Sequence, residues 1–384
     1  MYLKEDLHDI SKNRKPRWIC KRVSCLKIIE LPKMKKGRVT ITDIARKLNI
    51  APSTVSRALH DHPGIKKTTK EAVQTLAKKL DYQPNLMALN LLRQKSNTIG
   101  VIVPEITSHF FSAIITGIQD VIGASEHNIM ICLSNESYKE EAVIVKKLLK
   151  LQVDGVLVAP ASATKSFDHF RKLQKNGIPV VVFDRDCAGL QADKVLVDNY
   201  SGAFQAVEYL IKGGCTKIAH LGGPLNLSTT KSRLQGYLDA LDNNNVPIRK
   251  EYIAHVKGFE HIHGMEPAKR ILKLADRPDA IFAMNDSIAI SAMHLAKKMN
   301  LMVPDDISII GFDDEPHSSY FSPPLSTVWQ PVYSLGMLSA RILLHRLKEE
   351  NVQNDFRTEV FKPELVIRSS SKKCSITVRD QVVL

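Results

Sequence analysis

Apolar residues in the first patterned stretch recur at helical spacing. Ile44, Ala45 and Leu48 fall on one face, and Thr40 with Asp43 reads as an N-cap with an acidic first turn. NIAP (49–52) then ends that helix, and Pro52 suits the first turn of the next, where its missing N–H is not needed. In that second helix Val55, Ala58 and Leu59 share a face, while Ser53, Thr54 and Arg57 lie on the other. A third helix is expected to open with a capping box from Thr68 to Glu71 and to bury Ala72, Val73, Leu76, Ala77 and Leu80. Three short helices on a small core, the second presenting small polar groups and one arginine, describe a helix-turn-helix unit.

From Thr98 the pattern changes to short β-rich runs alternating with helix-length segments. IGVIVP is followed by a helical stretch from Phe110 to about His127, then IMICLS, GVLVAP and PVVVF. A second series opens with KVLVDN and continues through KIAHLGG, AIFAMND and ISIIGFDD. Repeated β-α units imply parallel sheets covered by helices on both faces, and two series imply two doubly wound lobes. In such folds ligands sit at the carboxyl ends of strands. Polar residues collect there: Asp184 and Arg185 after PVVVF, Asn285 and Asp286 after AIFAM, Asp313 and Asp314 after ISIIGF. Arg233 lies in the helix after HLGGP. Carboxylates accept from adjacent hydroxyls and an arginine donates in a fork, a set suited to polyhydroxylated ligands. Asp286 is also placed to cap the helix that follows it.

Charge gives the two regions different partners. Residues 1–97 carry 22 Lys and Arg against 8 Asp and Glu, so the whole formal excess of +14 lies there and the remaining residues balance. A basic module docked on phosphate and attached to a neutral body has this distribution. Residues 1–37 are basic without clear periodicity and read as a mobile extension; Met34, directly before the patterned sequence, is a candidate native start. The six cysteines form no C-x-x-C and no zinc-finger spacing, which points to reduced thiols and to no metal site. No run reaches the ~18 apolar residues of a membrane span, and no signal-peptide core follows the basic start. A cytoplasmic protein is expected, nucleoid-associated when bound to DNA. No G-x-G-x-x-G follows a strand, and neither a P-loop nor a G-x-S-x-G elbow occurs, so an enzyme and a cofactor are not expected. His261 and His263, at i,i+2 on an expected loop, read as solvated rather than metal-ligating.

The run TITDIARKLNIAPSTVSRALHDHPGIKKTTKEAVQTLAKKLDYQPN resembles the LacI/GalR family of bacterial transcriptional regulators, and the likeness extends over about residues 38–371. It implies an all-α helix-turn-helix domain (38–82), a hinge helix (83–97) and a periplasmic-binding-protein-like clamshell (98–371), with a tail at 372–384. The resemblance places one lobe at about 98–196 and 326–352 and the other at about 197–325 and 353–371. It implies DNA contacts at Pro52, Ser53 and Arg57, with Thr54 and Thr40 beside them. Pro52 stands where the family commonly has a polar residue; it offers apolar contact to a thymine methyl instead. In the hinge, PNLMALNLLRQKSNTIG, Ala88 and Leu91 are expected at the minor groove, with Leu91 wedged into a base step.

By the same resemblance Asp313, Arg233 and Asn285 line an effector cleft, Asp184 and Arg185 join them, and Phe110 and Phe259 form apolar walls. Leu227 occupies a position that is basic in purine-responsive members, which favours a sugar or sugar phosphate. The tail lacks a leucine heptad, so a homodimer on a pseudo-palindromic operator is expected, most simply a repressor.

Overall fold

The computed structural model describes residues 39–83, 96–348 and 355–373. Ala88, Leu91 and the expected hinge helix lie outside the described residues, as do residues 1–38 and those after 373.

The first unit is a three-helix module: α1 (Ile41–Leu48), α2 (Pro52–Leu59) and α3 (Lys67–Lys79). A reciprocal capping box opens α1. The Asp43 carboxylate accepts from the Thr40 N–H at 2.9 Å and from its hydroxyl at 2.7 Å, and the Asp43 N–H donates to Thr40 Oγ1 at 3.3 Å. Asn49 ends the helix in the left-handed region, φ 53°, a conformation asparagine tolerates. Pro52 occupies the first turn of α2. Ile44, Ala45, Val55, Ala58, Val73 and Ala77 are buried together, and Leu48, Leu59, Leu76 and Leu80 pack around them.

Two expectations for α3 fail. The helix starts at Lys67 with Lys66 at its N-cap, two residues before the expected cap, so Thr68 lies within its first turn and no side chain caps it. The Lys66 carbonyl instead accepts from the N–H groups of Thr69 and Lys70. Ala72 is exposed, because the buried face narrows to Val73 and Ala77 at i,i+4.

The second unit holds both α/β lobes. In the first, strands β1 (Thr98–Val103), β2 (Asn128–Leu133), β3 (Gly155–Val158), β4 (Val180–Phe183), β5 (Asp193–Val197) and β11 (Thr358–Phe361) form one parallel sheet. Their order is β11-β5-β4-β3-β1-β2. Alternation divides the strand residues between two faces. Ile99, Val101 and Val103 pack with α4 (His109–Ile122) and α11 (Val332–Arg346). Ile102, Val156 and Val180 pack with α5 (Tyr138–Leu151) and α6 (Asp168–Lys175). The first helical stretch therefore ends at Ile122, short of His127.

In the second lobe β6 (Ile218–Gly222), β7 (Ile253–His255), β8 (Ala280–Ala283) and β9 (Ser308–Ile310) form a parallel sheet ordered β7-β6-β8-β9. Helices α7 (Asn199–Lys212) and α8 (Ser228–Asn243) cover one face, α9 (His261–Leu272) and α10 (Asp286–Lys298) the other. An antiparallel pair, β10 (Thr327–Trp329) with β12 (Glu364–Val366), packs on the α7 side.

The chain passes between lobes at Asp198–Asn199, Gln330–Pro331 and Lys362–Pro363. This shifts the expected boundaries. KVLV belongs to the first sheet rather than opening the second series, and so does Thr358–Phe361, because parallel pairing with β5 places it there. Thr327–Trp329, expected in the first lobe, pairs in the second.

One contact in the first lobe is unusually close. A Cβ built on Gly117 of α4 would lie 2.2 Å from the Tyr333 carbonyl oxygen, and one on Gly336 of α11 would lie 2.1 Å from that of Ile114. The two helices thus meet backbone to backbone, and only glycine permits it.

Candidate effector cleft and DNA-reading surface

Strand ends of both lobes open onto a shared cavity of about 720 Å³. All seven residues expected in an effector site line it: Phe110, Asp184 and Arg185 from the first lobe, Arg233, Phe259, Asn285 and Asp313 from the second. Asp184 and Arg185 leave the end of β4, with Asp184 in the left-handed region at φ 63°. Asp313, φ 105°, turns the chain after β9. Phe110, in the first turn of α4, lines the cavity while packing with the core of the first lobe.

Each arginine is fixed by protein partners. Arg185 donates both terminal nitrogens to Glu136, at 2.8 and 2.9 Å, and a further bond to the Pro160 carbonyl at 2.8 Å. Its guanidinium lies 5.0 Å from the Phe259 ring centroid, an attractive contact between the lobes. A second bridge runs from the Asp186 N–H to Ser228 Oγ at 2.9 Å. Arg233 donates Nε to Asn199 Oδ1 at 2.7 Å and Nη1 to the Met284 carbonyl, stacks on Phe312 at 3.6 Å, and stands 3.6 Å from Asp313.

The carboxylates are less well served. Asp313 accepts from Gln330 Nε2 at 2.7 Å. Asp184, 6% exposed, accepts no hydrogen bond among the described residues; its nearest cation is Arg185 Nε at 3.6 Å. Burial raises the Asp184 carboxyl above the usual range, against the pull of Arg185 and Arg233. Burial raises that of Asp313 further; Arg233 opposes this, and Asp286, Glu315 and Asp184 add to it. Burial would raise Glu136 too, but Arg185 and the Ser162 N–H outweigh it and hold its carboxyl low.

Asn285, rather than Asp286, caps α10: its Oδ1 accepts from the Ile288 N–H at 2.9 Å, and its Nδ2 donates to the Phe259 carbonyl at 3.0 Å. Asp286 follows as the first helical residue. It is fully buried and accepts from the hydroxyls of Ser318 and Thr327, both at 2.5 Å, and from the Glu315 N–H at 2.9 Å. His261 and His263 open α9 instead of sitting on a loop, because the Glu260 carbonyl starts the helix. Both are exposed and line the cleft. Among the described residues no group of three or more His, Cys, Asp or Glu is arranged to hold a metal ion.

Sequence reasoning missed Glu136, Asn199 and Gln330. Glu136 follows Asn135 in a turn with positive φ at both residues, far from Arg185 in sequence. Asn199 and Gln330 sit at lobe crossings, and each bonds a cleft residue. Gln330 is 1% exposed and its Oε1 has no partner. Only the tertiary fold brings these groups together.

In the helical module, Ser53 and Arg57 are exposed on α2 and Thr54 is half-buried beside them. Pro52 is exposed at the start of the same helix, and Thr40 is exposed with its hydroxyl held by Asp43. Small groups flanking an exposed arginine on a short helix suit close approach to base edges.

A helix-turn-helix module joined to a two-lobed ligand-binding clamshell defines a ligand-responsive DNA-binding regulator. Residues 40–85 match the model for bacterial regulatory proteins of the lacI family, and residues 207–371 match the periplasmic binding protein-like domain. The chain is 32% identical over 335 residues to the HTH-type transcriptional repressor PurR of Vibrio vulnificus, covering 87% of this chain and 99% of that one. It is 32% identical over 318 residues to the catabolite control protein A of Priestia megaterium, covering 82% and 95%. Among solved structures, a complex of the transcriptional regulator CelR with cellobiose aligns with a TM-score of 0.67 at 26% identity, over 87% of this chain and 100% of that one. The chain belongs to the LacI family and is a DNA-binding transcription regulator. Among the described residues no helix is long and apolar enough to cross a membrane.

Proposed function

We propose that the chain is a homodimeric repressor, cytoplasmic and nucleoid-associated when bound, that is controlled by a sugar or sugar-derived effector and performs no catalysis. The observation that carries this reading is the convergence of donors, acceptors and aromatic walls from both lobes on one cavity, beside the chain crossings. Asp184 and Asp313 accept from ligand hydroxyls, Arg233 and Asn285 donate, and Phe110 and Phe259 enclose apolar faces. The CelR–cellobiose complex, of the same architecture, supports a saccharide ligand. A ligand touching both lobes stabilises one lobe arrangement over another, and DNA affinity follows from that difference.

Dimerisation is supported by the free edge of the first sheet. On β2, Met130, Ile131 and Leu133 are exposed, and such an apolar strand edge is ordinarily covered. A two-fold pair would present two α2 helices to successive major grooves, with Pro52, Ser53, Thr54 and Arg57 at base edges and Thr40 near the backbone. Ala88 and Leu91 would enter the minor groove between them.

Fluorescence anisotropy with labelled promoter fragments, over a salt series and with neutral sugars and sugar phosphates, tests the proposal. A saturable site with steep salt dependence and a sugar-induced change in affinity is expected. Binding that never exceeds that of random DNA would rule it out.

A further inference from the structure

We infer that the effector carries no phosphate or carboxylate: it is an uncharged sugar, bound through its hydroxyls. The inference rests on the effector reading above and narrows it by charge. Six carboxylates line the cavity, from Glu105, Glu136, Asp184, Glu260, Asp313 and Glu315, against three permanent cations. Two of those cations are already matched. Arg185 is chelated by Glu136, and Arg233 is shared by Asp313, Asn199 and the Met284 carbonyl. The third, Lys257, is exposed. An anion seated on Arg185 would have to break its fork with Glu136 and leave that carboxylate without its partner, which is costly.

Helix starts are the other natural seats for an anion, and those of α4 and α10 are capped by side chains. Glu105 accepts from the N–H groups of Thr107 and Ser108 at the start of α4. The N-cap residue of α9 is Glu260, a carboxylate at that start whose side chain makes no cap bond. Asp286 is the first residue of α10, below the Asn285 cap. Helix α8 begins without a side-chain cap; the hydroxyl of its first residue, Ser228, accepts from the Asp186 N–H. Against this, the cavity holds a largely buried carboxylate, Asp184, that accepts nothing from the described residues. Its unmet need is for a donor, and sugar hydroxyls are donors as well as acceptors. A phosphate group set against Asp184 would bring acceptors and negative charge in place of a donor.

The test pairs neutral sugars with their anionic counterparts on the full-length chain, by calorimetry at neutral pH. Glucose, galactose, ribose and cellobiose are run beside glucose 6-phosphate, ribose 5-phosphate, glucuronate and galacturonate. A neutral sugar should bind, and its anionic counterpart should bind about tenfold more weakly or worse, given the Coulomb repulsion at a few ångströms in a protein interior. Asp184→Asn should weaken the neutral ligand and shrink the gap to its phosphorylated partner. An anion that binds as tightly as its neutral parent overturns the charge inference and leaves the effector reading standing. Silence from every sugar in both groups overturns the effector reading, and the inference with it.

Discussion

Replacing Gly336 by alanine should destabilise the first lobe, although alanine is the better helix former. On propensity alone the substitution would stabilise a helix by about 1 kcal/mol. The seam between α4 and α11 reverses that sign. A Cβ at 336 would sit 2.1 Å from the Ile114 carbonyl oxygen, and one at 117 would sit 2.2 Å from that of Tyr333. Both obstacles are backbone atoms within helices, so no rotamer change relieves them. Restoring ordinary contact requires the helices to part by roughly 1 Å, a gap that forfeits a quarter to a half of each dispersion contact it opens. The seam is lined by buried residues, among them Phe111, Ile114, Ile118, Leu335, Ala340 and Leu343. Overpacking of such contacts costs about 1–3 kcal/mol, and the lost dispersion adds to it, so a net loss of about 2–3 kcal/mol is expected for Gly336→Ala. Gly117→Ala should behave alike, and the double variant should be less than additive, since either substitution alone separates the helices. Urea unfolding followed by circular dichroism measures this directly. A midpoint for Gly336→Ala at or above that of the parent protein would refute the reasoning, because propensity would then have won.

Arg57→Ala should reduce discrimination between operator and random DNA by about 1–3 kcal/mol while leaving the melting temperature unchanged, since the side chain is exposed; equal loss on both DNAs in anisotropy titrations would assign it to phosphate instead. Arg233→Lys cannot reproduce the separate bonds to Asn199 and the Met284 carbonyl, so effector affinity should fall at least about tenfold with operator binding retained. Retained effector affinity in calorimetry would show that the fork is not needed. Burial lifts the Asp286 carboxyl to about 7 from 3.8, against the hydrogen bonds of Ser318, Thr327 and the Glu315 N–H. The native state therefore holds that proton more tightly than the unfolded chain, so this group's stabilisation is full at acid pH and is lost as pH rises from about 4 to about 7. Asp286→Asn should flatten thermal stability over that interval, and a variant as steep as the parent would contradict the assignment.

What the sequence disclosed depended on how local each signal was. The central strands were legible because residues buried on both sides of a sheet read as unbroken apolar runs such as GVLV and VVVF. The edge strand Thr358–Phe361 was not placed correctly, since TEVF is mostly exposed and only pairing with β5 assigns it to the first lobe. The second and third helices diverged in the same way: Pro52 fixed the start of α2 locally, whereas α3 begins two residues before its expected cap, with no side chain marking the start. At the cleft, Asp184, Arg185 and Asp313 stood out as polar groups following apolar runs. Glu136, Asn199 and Gln330 carried no such mark, because their importance lies in partners distant along the chain.

The position of β11 also bears on how the protein is made. As the chain leaves the ribosome, β5 emerges with β4 on one side and nothing on the other. Its second neighbour is not synthesised until all of the other lobe but β12 has been made. Helix α11, which covers Phe111 and Ile114, is also among the last elements to appear. The first lobe to be translated is thus among the last to close, with an open strand edge and a bare apolar face in the interval. A nascent chain arrested before Thr358 would have neither lobe finished, since β11 completes the first sheet and β12 the pair in the second.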